Sequence, residues 1–231
     1  MTYQKAGLIL CYRKKLFFIL IKLKKWEKKK ARHVLFQTEN LFMSRSSHFA
    51  VIDTETNWHD EVMSIGIVIS DSLTFRPIGT KYYLIDPEYR SGGMYSNVIS
   101  VPNHSVDMCG SREAVMANLA QGLKACNVKG IFAYNAKFDY GHLPELSSFQ
   151  WYDIMRLAAY RQYNRAIPEN ADCCMTGRLK RNYGVEPIMQ MLSGKSSYCE
   201  VHNAVCDAID ELELMRLLGH PLDVYDCAKI N

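Results

Sequence analysis

Asp53 and Glu55 stand two residues apart, where the apolar run Phe49–Ile52 ends. Alternate side chains of a strand share a face, so both carboxylates would project from the same side. The segment YNAKFD places Asp139 one turn into a short helix expected after a strand. The segment HNAVCDA carries His202 and Asp207 near the start of a long helical stretch. On a helical wheel Asp207 lies close to the line of Leu214 and Leu218, and Glu211 shares roughly that side. A carboxylate on an apolar face is costly to bury without a partner. Taken singly, these features have plain readings: a solvated strand end, a helix cap at Asn135, an exposed helical Asp139. Brought together they mean something else. Four carboxylates at one point repel and raise one another's pKa unless cations neutralise them. Oxygen ligands with no cysteine favour Mg²⁺ or Mn²⁺ over Zn²⁺. Two such ions, roughly 3.5–4 Å apart, can hold an attacking water and steady a leaving oxygen.

The elements that must position these residues follow from pattern. Phe49–Thr54, Val62–Ser70 and Lys81–Ile85 read as strands with short connections, an antiparallel three-strand meander. Ser111 is placed to cap a helix with Val115, Met116, Leu119, Leu123 and Cys126 at helical spacing. Ile131–Tyr134 reads as a strand, with Asn135 capping the helix after it. Trp151–Asp153 reads as a last strand, followed by a helix over Ile154–Gln162 and a helical C-terminal third. Ala204–Leu218 closes on the stop signals Gly219 and Pro221. Strands first and then alternating helices and strands predict an α/β fold, a mixed sheet with helices on its faces.

In order and context, VIDTET, YNAKFD and HNAVCDA resemble the three motifs of the DEDDh (DnaQ-like) 3′–5′ exonucleases. The resemblance runs from about Phe49 to Leu218, and the H-x4-D spacing of His202 and Asp207 matches the histidine branch. Tyr134 stands where the second motif more often begins with His, a position that is not a metal ligand in the family. The resemblance implies a ribonuclease H-like fold, with the antiparallel meander joined to parallel strands and helices on both faces. It implies two Mg²⁺ or Mn²⁺ ions, with Asp53 bridging both, Glu55 and Asp207 completing one site and Asp139 serving the other. His202 would take the proton from the attacking water. Thr54, Thr56 and Trp58 would lie against the substrate, a DNA or RNA strand with a free 3′ end, and the product would be a nucleoside 5′-monophosphate. A polymerase or a second copy of the chain are the protein partners it allows. Two rival readings remain: a nucleic-acid-binding scaffold on the same fold, and a phosphatase using Asp53 as nucleophile. The first should have lost a ligand or the histidine, and the second leaves Asp139, His202 and Asp207 without work.

Trp58 could stack on a terminal base or cover the sheet edge. Tyr82, Tyr83, Tyr160 and Tyr163 could line a groove for the strand, or simply pack.

Charge divides the chain at about residue 42. Residues 1–42 hold 11 Lys and Arg against Glu27 and Glu39, a net of +9, whereas the remaining 189 hold 17 basic and 22 acidic side chains, a net of −5. The expected division is a basic tail over 1–42 and an exonuclease domain over 43–231. The tail reads as translated from upstream of a natural start at Met43, as a basic arm for phosphates, or as a membrane-surface helix. Its apolar run Leu16–Ile21 is six residues long, far below the roughly 20 a spanning helix needs. No membrane association of the body is expected. The eight cysteines form no C-x-x-C pair, which points to a reducing, cytoplasmic setting.

Overall fold

The computed structural model describes residues 47–231. The readings of residues 1–42 and of Met43 therefore lie outside the described residues. Six strands form one sheet: β1 (His48–Thr56), β2 (Val62–Asp71), β3 (Pro77–Ile85), β4 (Met108–Gly110), β5 (Val128–Ala133) and β6 (Gln150–Asp153). Their spatial order is β4-β3-β2-β1-β5-β6. The helices are α1 (Arg112–Ala125), α2 (Lys137–His142), α3 (Met155–Ala158), α4 (Val185–Ser193) and α5 (Ala204–Leu218).

β1 is central because it is apolar on both faces. Ala50 and Ile52 bury into one cluster with Val115, Met116, Leu119 and Leu123 of α1. Phe49 and Val51 bury into another with α3, α4 and α5. Such a strand must be flanked and covered on both sides. β1 pairs antiparallel with β2 and parallel with β5, β2 pairs antiparallel with β3, and β5 pairs parallel with β6. The meander, the parallel half and the helices on both faces are those expected from the sequence.

Local chemistry sets the turns and ends. Asn57 Oδ1 accepts the backbone N–H of His59 at 2.9 Å and of Glu61 at 3.1 Å, closing the β1–β2 hairpin. The Ser111 side chain accepts the N–H of Ala114 and starts α1, as its sequence predicts. Gly219, left-handed at φ 69°, ends α5.

Three expectations need correction. Asn135 does not cap α2: it sits at φ 59° and its N–H donates to Asp153 Oδ1 at 3.0 Å, while α2 starts without a side-chain cap. The helix expected over Ile154–Gln162 stops after Ala158. Tyr160 instead bridges to Arg178, and the buried Asn164 amide donates to the Ala158 carbonyl at 2.7 Å. The C-terminal third is also less helical than expected, since the chain between α3 and α4 is irregular. The pattern also missed β4, a three-residue edge strand parallel to β3.

Gly66 decides how α5 meets the sheet. A Cβ there would lie 2.0 Å from the carbonyl carbon of Ala204 and 2.2 Å from the Val205 nitrogen, the first turn of α5. Backbone therefore rests directly on backbone, and only glycine allows it. Gly79 on β3 has nothing within 4 Å of its Cβ position. Gly66→Ala should cost about 1–3 kcal/mol or more by overpacking, whereas Gly79→Ala should be neutral or slightly stabilising. Urea unfolding of the two variants checks this, and equal stabilities would refute the contact.

Candidate functional site

The carboxylates converge where β1 and β5 end, the edge at which open α/β sheets hold ligands. Asp53 lies opposite Gly66 and Glu55 opposite Ser64, so both face α5. Thr54, between them, points to the other face. Its buried hydroxyl donates to Asp139 Oδ1 at 2.7 Å and fixes that carboxylate on α2. Asp139 is 2% exposed and Asp207 3%. Ligand atoms of Glu55, His202 and Asp207 lie within 4.8 Å of one another. Asp53 Oδ2 and Asp207 Oδ1 are buried with no hydrogen-bond partner.

His202 is held in an unusual way. Its backbone is left-handed, φ 59°, and its ring stacks on Tyr95 at 4.2 Å with the planes 18° apart. The next residue, Asn203, caps α5 by accepting from the Cys206 N–H. The Asn203 amide also donates to the Val98 carbonyl at 2.7 Å, which ties the start of α5 to the loop carrying Tyr95. His202 is therefore not the helix cap; Asn203 is.

The same loop reaches Trp58. The Trp58 N–H donates to the Gly92 carbonyl at 3.1 Å, and the indole lies over Gly92. Trp58 is 67% exposed, so it does not act as a cover for the sheet edge. Thr56 is half-buried at the end of β1, with its carbonyl packed closely on Gly93.

No family model matches the sequence, and no curated protein does. Solved structures do. A 3′-exonuclease described in the 3′-end-specific recognition of a histone mRNA stem-loop aligns at TM-score 0.52 and 13% identity, over 84% of this chain and 73% of that one. The nuclease domain of 3′hExo, a DEDDh family member bound to rAMP, aligns at 0.51 and 14%, over 77% and 95%. The fold is that of the DEDDh 3′-exonucleases. Exonuclease I of E. coli, in complex with a dA16 oligonucleotide, aligns at 0.54 and 16% over 78% of this chain, which spans only 42% of that enzyme.

On this exonuclease fold, burial and mutual repulsion dominate the electrostatics. Burial first, then Asp207, pushes Glu55 up to about 8. Burial, then Glu200 and Asp210, pushes Asp207 to about 8. Burial raises Asp139 to about 7 against the opposing hydrogen bond from Thr54. Asp53 is raised well above the carboxylate range by burial and then by Glu211, Asp139, Asp207 and Glu55. Two further residues bear on the site, of which the sequence reading missed one and saw the other only in part. Tyr95 gave no local signal, because its stack spans distant parts of the chain. Glu211 was visible on the wheel, one turn after Asp207, but nothing there showed it against Asp53.

Hard oxygen donors, two of them buried and unpartnered, suit a divalent cation. A carboxylate whose folded pKa is raised stabilises the fold below its unfolded value and loses that contribution as pH rises through the folded value. The cation-free protein should therefore melt lower as pH rises from about 4.5 to beyond about 8. Mn²⁺ should restore the melting temperature most at the alkaline end. A metal-free melting temperature that is flat or rising over that range would contradict the repulsion.

Proposed function

We propose that this chain is a divalent-cation-dependent 3′–5′ exonuclease that releases nucleoside 5′-monophosphates from single-stranded DNA or RNA ends. The observation that carries the reading is the approach of Glu55, His202 and Asp207 to within 4.8 Å, beside unpartnered buried oxygens of Asp53 and Asp207. Asp53, Glu55, Asp139 and Asp207 are the residues that would hold two Mg²⁺ or Mn²⁺ ions. Bound there, such ions supply Lewis-acid polarisation of the phosphoryl oxygens and acidify a water.

The chain's own residues divide the remaining work. A ring nitrogen of His202 takes the proton from the attacking water, whose oxygen bonds to phosphorus as the bond to the 3′ oxygen breaks. The Tyr95 stack and the Asn203 cap fix the imidazole before substrate arrives, so that little ordering is left for the reaction itself. Trp58, exposed on the rim, offers an aromatic face on which any base can stack. Thr54 serves through Asp139, to which its hydroxyl is committed. The similarity to 3′-exonuclease structures supports the reading at the level of fold. A scaffold without activity finds less support, because none of the five ligand and base positions is lost.

End-labelled single-stranded DNA and RNA, incubated with the purified protein and Mg²⁺ or Mn²⁺, should shorten from the 3′ end and release 5′-mononucleotides. Excess chelator should stop the reaction. Shortening that persists in chelator, or that starts only from 5′ ends, would remove the assignment. His202→Ala should lower turnover on the order of 10²–10⁴-fold with cation binding kept, whereas Asp53→Asn should weaken cation binding. An alanine variant with normal turnover would take His202 out of the mechanism.

A further inference from the structure

Glu211 follows Asp207 by one turn of α5 and is 2% exposed. Its Oε2 accepts the backbone N–H of Tyr134 at 3.0 Å, just past the end of β5. No Lys or Arg among the described residues pairs with it. Its helical neighbours Ala208, Leu212, Leu214 and Met215 are buried and apolar, and an uncharged side chain would fit this face at lower cost. Burial, then repulsion from Asp139, holds the Glu211 carboxyl well above the usual carboxylate range, and among the surrounding carboxylates Glu211 bears most on Asp53. One turn earlier on α5, Asp207 is 3% exposed and its Oδ1 has no hydrogen-bond partner, a donor that suits a cation.

We propose that Glu211 is a positioning residue of the cation centre, anchored by the Tyr134 N–H one turn after Asp207 so that, once cations are bound, its carboxylate adds a fifth negative charge to the centre. It destabilises the empty centre and tightens the loaded one. The proposal rests on the cation-binding reading given above. Its signature is a pair of effects with opposite signs, which a residue that merely packs would not produce.

Glu211→Gln keeps the volume and an oxygen to accept the Tyr134 N–H, and removes only the charge. In the full chain freed of metal, this variant should melt at a higher temperature than the wild type. Calorimetric titration with Mn²⁺ alone should show affinity reduced about 10–100-fold, the usual effect of losing an outer partner of a metal site. Glu211→Asp, which keeps the charge, should bind Mn²⁺ more tightly than the Gln variant. A Gln variant that binds Mn²⁺ like the wild type, melts lower without metal or fails to fold overturns the proposal, as does a reversed ranking of Gln and Asp. Wild-type protein that takes up no Mn²⁺ would overturn the cation-binding reading itself, a result distinguishable from all of these.

Discussion

Helix α5 touches the sheet with its backbone, and the missing side chain of Gly66 is what permits it. From that contact the rest of the site takes its dimensions. Gly66 is the register partner of Asp53, so the place where the helix comes closest is also the place where the first carboxylate stands. Asp207 and Glu211, on the next turns, are brought over β1 and cannot back away. Asn203 seals the arrangement at the helix start, with one amide shared between the cap and the Val98 carbonyl.

Packing here works against electrostatics and prevails. Phe49, Val51, Phe132, Leu212, Leu214 and Met215 bury one face around α5, and each fully buried large apolar side chain contributes roughly 1.5–3 kcal/mol. Asp53, Glu55, Asp139, Asp207 and Glu211 oppose this by burial and mutual repulsion. The frame is built so that the cluster cannot relax by moving apart: β1 is paired on both sides, α2 is held through Thr54, and α5 rests on bare backbone. The relief left to the carboxylates is to take up protons or cations.

Much of this arrangement was legible in the sequence, and the failures have physical reasons. The strand alternation of Asp53 and Glu55, and the apolar line on which Asp207 sits, are local properties that periodicity reveals. Ser111 and Gly219 announced their helix ends for the same reason. Asn135 misled because a residue that can cap can equally adopt a left-handed backbone, and Asp153 supplied the partner that decided it. The helix expected beyond Ala158 lost to the buried Asn164 side chain, which claims a carbonyl at its end. The stack of Tyr95 on His202 joins residues about a hundred positions apart, beyond any local pattern. Gly66 did leave a trace, since a glycine inside VMSIGIVIS marks a strand approached closely by another backbone.

The carboxylates also come from parts of the chain made at different times. Asp53 and Glu55 lie on the first described strand, Asp139 follows the fifth, and Asp207 and Glu211 belong to the last helix. During synthesis the meander can pair, and the Gly66 surface can form, well before α5 exists to cover it. Repulsion within the full set is therefore deferred until the final helix docks. A growing chain can pair its meander without that burden, and a chain halted before α5 carries His202 but neither Asp207 nor Glu211.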